Sequence, residues 1–361
     1  MSSAIHRKPG DTIRVAMIGY GLGGQAFHAP FIATTPGMKL ITVVTANPER
    51  RANARKDFPD ARVVDSPDHV WSRATEHDLV VVATNNRAHV PLAIAAIDAG
   101  IAVVVDKPLA ANAADARALV THAKRAGVPL SVYHERRWDG EFLTVKKLIA
   151  EGALGQVLRF ESRLDRWRPQ PKEGAWRELG DPADAGGLLF DLGSHLIDQA
   201  LQLFGRVTHV YAEVEKRRAG VAVDDDVFVS LRHQCGTLSH LWTSSVAAQP
   251  GARLRVLGSR AAYVKQSADV QENALRTGTL PNTPGFGEDP VERWGVLAAG
   301  EDVQPVKTER GDFQRFYANA VPWLREGAPP PVDPNDAVAG LEVIEAAQRS
   351  AAEKQVIALA N

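Results

Sequence analysis

The sequence predicts two α/β domains in series. The first is a doubly wound parallel sheet, the second an α+β domain on an open, mainly antiparallel sheet. Three observations carry that expectation. The glycine turn Gly19-Tyr20-Gly21-Leu22-Gly23-Gly24 directly follows an apolar, β-branched run, Ile13–Ile18, and precedes a helical pattern from Gln25. Strand-like and helix-like segments alternate up to about Tyr133. From Val157 onward strand-like runs dominate, and the helical crossovers between them disappear. A length of 361 residues exceeds one ordinary core, which agrees with two domains.

Each element follows from local pattern. Ile13, Val15, Met17 and Ile18 read as a buried strand, and the turn after it is G-x-G-x-x-G in the setting of a Rossmann domain. Gly19 permits the tight turn, Gly21 lets a pyrophosphate approach the backbone, and Gly24 lets the helix pack on the strand. The helix start offers free N–H groups and a positive dipole end to phosphates. Lys39–Thr45 is the second strand, and Ser66-Pro67 has the form of a cap and first helical residue. Leu79–Ala83 is a buried strand, followed by a helix from about His89 to Ala99 that Gly100 stops. Ala102–Val105 is the next strand and ends at Asp106-Lys107-Pro108. A helix from about Ala113 to Ala126 lies between Asn112 as cap and Gly127 as stop, and Leu130–Tyr133 closes the layer. Residues 1–133 are thus expected to form the dinucleotide-binding domain, and 134–361 the substrate-binding and oligomerisation domain. In the latter, strands are expected at Val157–Arg166, Val207–Lys216, Val227–His233, Thr237–Ser244 and Leu254–Leu257. Helices are expected at about Gly187–Phe204, Asp312–Glu326 and Asn335–Lys354, the last packing back on the first domain. Ser267–Gly300, rich in Gly and Pro, reads as a long excursion.

Composition narrows the function classes. Hydrophobic residues are 45% and charged residues 24%, the balance of a soluble globular protein. A formal net charge of −1 gives no pull toward nucleic acid or an anionic membrane. No apolar run reaches the roughly 18 residues of a membrane span, and MSSAIHRKPG lacks the apolar core of a secretion signal. Cys235 is the single cysteine, so an intrachain disulfide and a cysteine metal cluster are excluded. A cytoplasmic location, no membrane or nucleic-acid partner and no metal are expected. The strand Val227–His233 puts Val227, Val229 and Leu231 on one face, and Leu238 and Trp242 lie in the neighbouring strand. An open sheet with one helix layer leaves its other face to cover, so a homodimer or homotetramer is expected.

Ligands of doubly wound sheets sit outside the carboxyl ends of the strands, where Gly21, Asn47, Asn85 and Lys107 all fall. NAD-selective enzymes usually carry an acid at the end of the second strand, for the ribose 2′-hydroxyl. This chain reads Thr45-Ala46-Asn47-Pro48-Glu49-Arg50-Arg51 there. No acid stands at the tip, and Glu49, beyond Pro48, falls in the first helical turn, where it favours the helix dipole. Neutral polar side chains plus Arg suit a 2′-phosphate, so NADP is the preferred cofactor, with NAD the alternative; a solvated helix face is the other reading of Arg50 and Arg51. Two further stretches carry chemistry. Asp106-Lys107-Pro108 stands where a nicotinamide should lie, and Gly186–Asp198 places Asp191, His195 and Asp198 at i, i+4 and i+7 of a helix. Lys, Asp and His suffice for alcohol oxidation: a base takes the hydroxyl proton, a cation steadies the alkoxide, and a carboxylate holds the imidazole. Trp138, Trp167 and Trp176 could line a sugar pocket, and Arg136 and Arg177 could bond hydroxyls.

The glycine turn, the lysine-proline after the fifth strand and the GGxxxDxGxH helix resemble the Gfo/Idh/MocA family of NAD(P)-dependent oxidoreductases, over essentially the whole chain and in the same domain order. GYGLGGQAFHAP, SVYHERRWDGEFLTVKKLI and GGLLFDLGSHLIDQALQLFG resemble the branch containing NADP-dependent scyllo-inositol dehydrogenases. The resemblance implies an NADP(H)-dependent oxidoreductase acting on a ring carbon of a cyclic polyol or sugar. It implies that Lys107 binds the reacting hydroxyl, that Asp191 contacts substrate and tunes the histidine, and that His195 is the general base. It also implies a cis bond before Pro108. Two positions depart from the family pattern: Asp106 replaces the usual Glu, and Glu135 stands where relatives often have Asn. The cofactor contacts expected on this basis are Gly19, Tyr20, Gly21, Leu22, Gly24, Thr45, Asn47, Arg50, Arg51, Thr84, Asn85, Asn86, His89, Asp106, Lys107 and Glu135. The substrate contacts are Lys107, Arg136, Trp138, Trp176, Asp191 and His195. A nucleotide- or sugar-sensing regulator without turnover, and an enzyme that uses hydride transiently for a redox-neutral reaction, are the competing classes.

Overall fold

Six short runs dominated by Val, Ile and Leu form the first sheet; the inner ones are buried almost throughout, as strands covered on both faces must be, while the short edge strand Arg62–Val64 is only partly covered. They are β1 (Ile13–Ile18), β2 (Met38–Val44), β3 (Arg62–Val64), β4 (Leu79–Val82), β5 (Ala102–Asp106) and β6 (Leu130–Tyr133). In this computed structural model, which describes residues 11–359 apart from 173, 175 and 179, they pair in parallel in the order β3-β2-β1-β4-β5-β6. The order reverses between β1 and β4, the switch point at which such sheets bind ligands. Helix Ala113–Ala126 begins where Asn112 accepts from Asp115 N at 2.7 Å and stops at Gly127, φ 68°.

The chain divides into two compact units. One holds residues up to 135 with 272–286 and 313–338; the other holds 136–271, 287–312 and the residues from 339 on. The division therefore falls inside the long helix Pro334–Glu353. In the first unit the segment 313–338 adds aromatic cover to the parallel sheet: Tyr133, Phe316 and Tyr317 form one ring cluster, all essentially without exposure.

The second unit is built on nine strands: β7 (Val157–Asp165), β8 (Val207–Glu215), β9 (Asp226–His233), β10 (Leu238–Ser244), β11 (Leu254–Gly258), β12 (Ala262–Lys265), β13 (Gly295–Ala299), β14 (Asp302–Val306) and β15 (Ile357–Ala358). Their order is β14-β13-β12-β11-β7-β10-β9-β8-β15. Every neighbouring pair is antiparallel except β7 and β10. Helix Ser194–Phe204 packs on β7 and β10 through its apolar face.

The structure corrects several expectations. The excursion 267–300 contains the helix Gln271–Arg276 and strand β13, and helix Gly140–Ala150 was not foreseen. Val227, Val229 and Leu231 do not share a face with Leu238 and Trp242. Leu238 pairs with Arg232 and Trp242 with Phe228, whereas Leu241 pairs with Val229. Directly opposed residues share a face, so the three β9 residues lie in the core and Phe228, His240 and Trp242 form a separate aromatic row. Arg163 stacks on Trp242, 3.7 Å from its ring centroid. No helix among the described residues is long and apolar enough to cross a membrane.

Candidate active site

The carboxyl ends of β1, β2, β4 and β5 gather the expected cofactor residues of the first unit. Gly19 has φ 102°, and a Cβ there would stand 2.3 Å from Ala83 O. A Cβ on Gly24 would stand 2.2 Å from Gly19 O. Packing inside the protein therefore demands glycine at both positions. Gly21 differs: the nearest atoms to its would-be Cβ all belong to the Arg50 guanidinium, starting at 3.5 Å, an ordinary contact. The absent side chain leaves a bare backbone facing a cation, the cradle a pyrophosphate or ribose phosphate requires. The first turns after it, Gly23–His28, are π-helical, a geometry frequent at functional sites. Leu22 remains half exposed beside the turn. Tyr20 is buried, and its hydroxyl donates to Asp57 at 2.7 Å, which also accepts from Gln25 at 3.1 Å. This lashes the glycine turn to the end of helix Pro48–Asp57. Burial, then Asp57, push the Tyr20 phenol up and keep it a donor.

At the end of β2, Thr45 is buried, and Asn47 caps the next helix by accepting from Arg50 N at 3.0 Å. The cap orients the turn that brings Arg50 over Gly21. Arg51 instead faces Asp65, at 3.6 Å. The two arginines, equivalent in the sequence, are thus distinguished by their neighbours. At the end of β4, the methyl of Thr84 flanks Gly19, and Asn85 and Asn86 start a short turn leading into helix His89–Asp98.

At the end of β5 the Lys107–Pro108 peptide is cis. His89, fully buried, holds this turn: its Nδ1 lies 2.8 Å from Pro108 O and its Nε2 3.4 Å from Thr84 O. Burial holds the His89 ring below the usual imidazole range, so the neutral ring donates from Nδ1. Asp106 Oδ1 accepts from Lys107 N at 2.8 Å. Its Oδ2 lies 3.8 Å from His28 Nε2 and close against Gly23. His28 has no exposure; its Nδ1 is 2.6 Å from the Tyr317 hydroxyl, and its ring packs on Tyr133 at a tilt of 41° with 4.1 Å between centroids. When Tyr317 donates to Nδ1, the ring turns Nε2–H toward Asp106. Burial works to raise Asp106, but His28, Lys107 and His89 outweigh it and hold the carboxyl at about 2. The carboxylate beside Lys107 is therefore charged at every physiological pH. His28 and Tyr317 were not foreseen. His28 stands in the stretch GYGLGGQAFHAP, but nothing local joins it to Tyr317, 289 residues later.

In the second unit the expected α-helix begins as a π-helix, Leu189–Gly193, and becomes α-helical at Ser194. The even i, i+4, i+7 face is interrupted by this switch. Asp191 pairs with Arg177 at 3.2 Å, while Asp198 takes two bonds from Arg137, at 2.8 and 2.6 Å. Asp198 is buried and fixes the helix to the turn at Glu135–Trp138. His195 is buried on the same helix. Arg136 is buried 3.6 Å from Asp139, and Arg253 joins that cluster through Glu141 at 3.0 Å. Burial, with Glu141 adding, raises the Asp139 carboxyl well above its usual range. Glu135 and Trp138 are also largely buried, whereas Trp167 is exposed. The side chain of Trp176 lies outside the described residues. Among the described residues no group of three or more His, Cys, Asp or Glu could hold a metal ion.

Residues 13–134 match the description "Oxidoreductase family, NAD-binding Rossmann fold" of the GFO_IDH_MocA group, and residues 146–359 match its "Oxidoreductase family, C-terminal alpha/beta domain". The uncharacterized oxidoreductase YdgJ of Escherichia coli is 40% identical over 354 residues, covering 97% of this chain and 99% of YdgJ. The scyllo-inositol 2-dehydrogenase (NADP(+)) IolW of Bacillus subtilis is 36% identical over 358 residues, 98% of each chain. The solved structure of yvaA from Bacillus subtilis superposes with a TM-score of 0.92 at 35% identity, covering 98% of this chain and 100% of the other.

Proposed function

Because this chain belongs to the Gfo/Idh/MocA family of oxidoreductases, we propose that it is an NADP(H)-dependent dehydrogenase or reductase acting on a CH–OH group of a cyclic polyol or sugar. The observation that carries the cofactor choice is Arg50 over Gly21; the end of β2 itself bears no acid, and Glu49, in the first turn of the next helix, lies beyond Pro48. A relative named as an NADP(+)-dependent scyllo-inositol 2-dehydrogenase, similar over the full chain, supports the substrate class. When bound, the nicotinamide supplies the hydride acceptor or donor. The chain's own residues do the rest. The Lys107 ammonium steadies negative charge on the reacting oxygen, and the cis turn pinned by His89 and Asp106 holds its backbone. Neutral His195 accepts the hydroxyl proton in oxidation and returns it in reduction. With Asp198 bonded by Arg137, Asp191, four residues before His195 and paired with Arg177, is assigned to orient the imidazole or a substrate hydroxyl.

The test is a panel of polyols and sugars with each cofactor in turn, following the absorbance of the reduced nicotinamide and identifying the product. Turnover with a cyclic polyol and NADP+ is expected. Cofactor binding without turnover on any substrate would indicate a regulator, and a redox-neutral product would indicate transient use of hydride. A homodimer or homotetramer is proposed as well, supported by the aromatic row of Phe228, His240 and Trp242 on the sheet. A monomer mass by light scattering at micromolar concentration would refute it.

A further inference from the structure

The helix that carries Asp191 and His195 is not capped by the residues preceding it. Leu188, at its start, is itself helical, with φ −76° and ψ −28° and no side-chain cap. Its first N–H groups are taken by two distant stretches of the same unit. Gly187 N donates to Arg177 O at 3.1 Å and Leu188 N to Asp224 O at 3.1 Å. Leu189 N donates to Asp224 Oδ2 at 2.7 Å, across a sequence separation of 35. Gly187 has φ 88°, and a Cβ there would stand 2.1 Å from Asp224 Oδ1. One carboxylate oxygen therefore caps the helix while the other fills the space that glycine leaves open. The first turn of the helix hangs from the same point, since Asp191 N donates to Gly187 O at 3.0 Å.

Asp224 is the first of three consecutive acids, and the structure separates their tasks. Asp225 accepts from Arg218 Nε at 2.8 Å, and Asp226 accepts from Arg217 Nε at 3.3 Å. Asp224 is spent on backbone. We propose that Asp224 is a positioning residue for the reaction: by capping Leu189 and filling the space at Gly187 it sets the turn that presents Asp191 and His195. The inference rests on the reading of those two residues as reaction groups. A carboxylate at a helix N-terminus also complements the dipole, which an uncharged carboxyl does less well. Burial, with Asp225 adding, raises the Asp224 carboxyl to about 6 against the bond from Leu189. Asp225 is the charged neighbour that acts on it; the adjoining segments carry Asp226, Arg217 and Arg218, which pair among themselves and with Asp225, and Arg177, which pairs with Asp191 of the helix.

The test uses the full chain with Asp224→Ala and Asp224→Asn, reading hydrogen–deuterium exchange over 187–195, kcat, NADPH affinity and the pH profile. In Asp224→Ala, exchange should be about fivefold faster, the fold-change of a lost cap, and kcat about tenfold lower with NADPH affinity unchanged. Asp224→Asn keeps an oxygen acceptor of the same size. It should restore most of kcat at neutral pH and remove one acid-side inflection near pH 6 from the wild-type profile. Wild-type kcat in Asp224→Ala, whatever its exchange, overturns the proposal. If Asp224→Ala fails to fold, Asp224→Asn decides: a retained inflection overturns the proposal and a lost one supports it. An active wild type with unchanged exchange in Asp224→Ala fails this inference alone. An inactive wild type whose exchange still rises in Asp224→Ala fails the functional reading and supports the cap.

Discussion

Replacing Arg50 by Ala should remove most of the preference for NADP(H) while leaving NAD(H) turnover intact. The guanidinium stands over Gly21 and is held there through the Asn47 cap of its turn. A hydrogen bond to a charged group contributes about 1.5–3 kcal/mol. Arg50 is exposed, so water and salt screen it and the lower value applies. About 1.5 kcal/mol corresponds to roughly a tenfold change in affinity. The kcat/KM ratio of NADP(H) to NAD(H) is therefore expected to fall about tenfold in Arg50→Ala, almost wholly through KM. The loss should shrink with added salt. Arg51 is engaged with Asp65, so Arg51→Ala should change the ratio by no more than about twofold, the scale of an exposed pair. The assay is initial rate with each cofactor varied at fixed substrate and two ionic strengths. An unchanged ratio in Arg50→Ala, or a larger loss in Arg51→Ala, would refute the assignment.

Two further perturbations separate binding from stability. Gly21→Ala should lower NADPH affinity by at least about tenfold with little change in the melting temperature of the free protein, since its Cβ meets only Arg50. Gly24→Ala should lower both, because its Cβ would meet Gly19 O; equal melting losses in the two variants would contradict this. Asp106→Asn should cost about 2 kcal/mol at neutral pH, because the Asp106 carboxyl is held down at about 2. A depressed folded-state pKa gives stability that is present above the ordinary Asp range, near 4, and is lost as pH falls toward 2. Urea unfolding at a series of pH values should thus show the difference between wild type and variant closing below about pH 4, and a constant difference would sink the linkage.

Much of the first unit was legible because its physics is local. A β-branched run buried on both sides reads as a strand, Asn112 and Gly127 mark both ends of one helix, and Gly24 is explained by Gly19 five residues before it, although Gly19 and Gly21 have their reasons in the distant Ala83 and Arg50. What escaped depends on contacts distant in sequence. Helix Gly140–Ala150 hides its pattern because Glu141 and Thr144 point into the core, where Arg253 pairs with Glu141. Alternation in β9 shows which residues share a face, but only the register with β10 shows which face the helix covers. The π-helical turns at Gly23–His28 and Leu189–Gly193 leave no periodicity to read over so few residues. His28 needed Tyr317, and Asp224 needed Gly187, before either had a role. The lysine, aspartate and histidine themselves stood out because their residue types suit the chemistry, although Asp198, once joined to them by spacing, bonds Arg137.

The proposed function assigns Lys107 and His195 the polar steps of alcohol oxidation. The measurement is NADP+ reduction with the best cyclic polyol of the panel, in wild type, Lys107→Ala and His195→Ala, across pH. Each variant should lose about 10²–10⁴ in kcat, the range for a positioned acid–base group. NADPH affinity should be kept in His195→Ala, and the wild-type oxidation rate should rise with pH, because only a neutral imidazole can accept a proton. Near wild-type turnover in His195→Ala, with the same pH profile, would contradict the account.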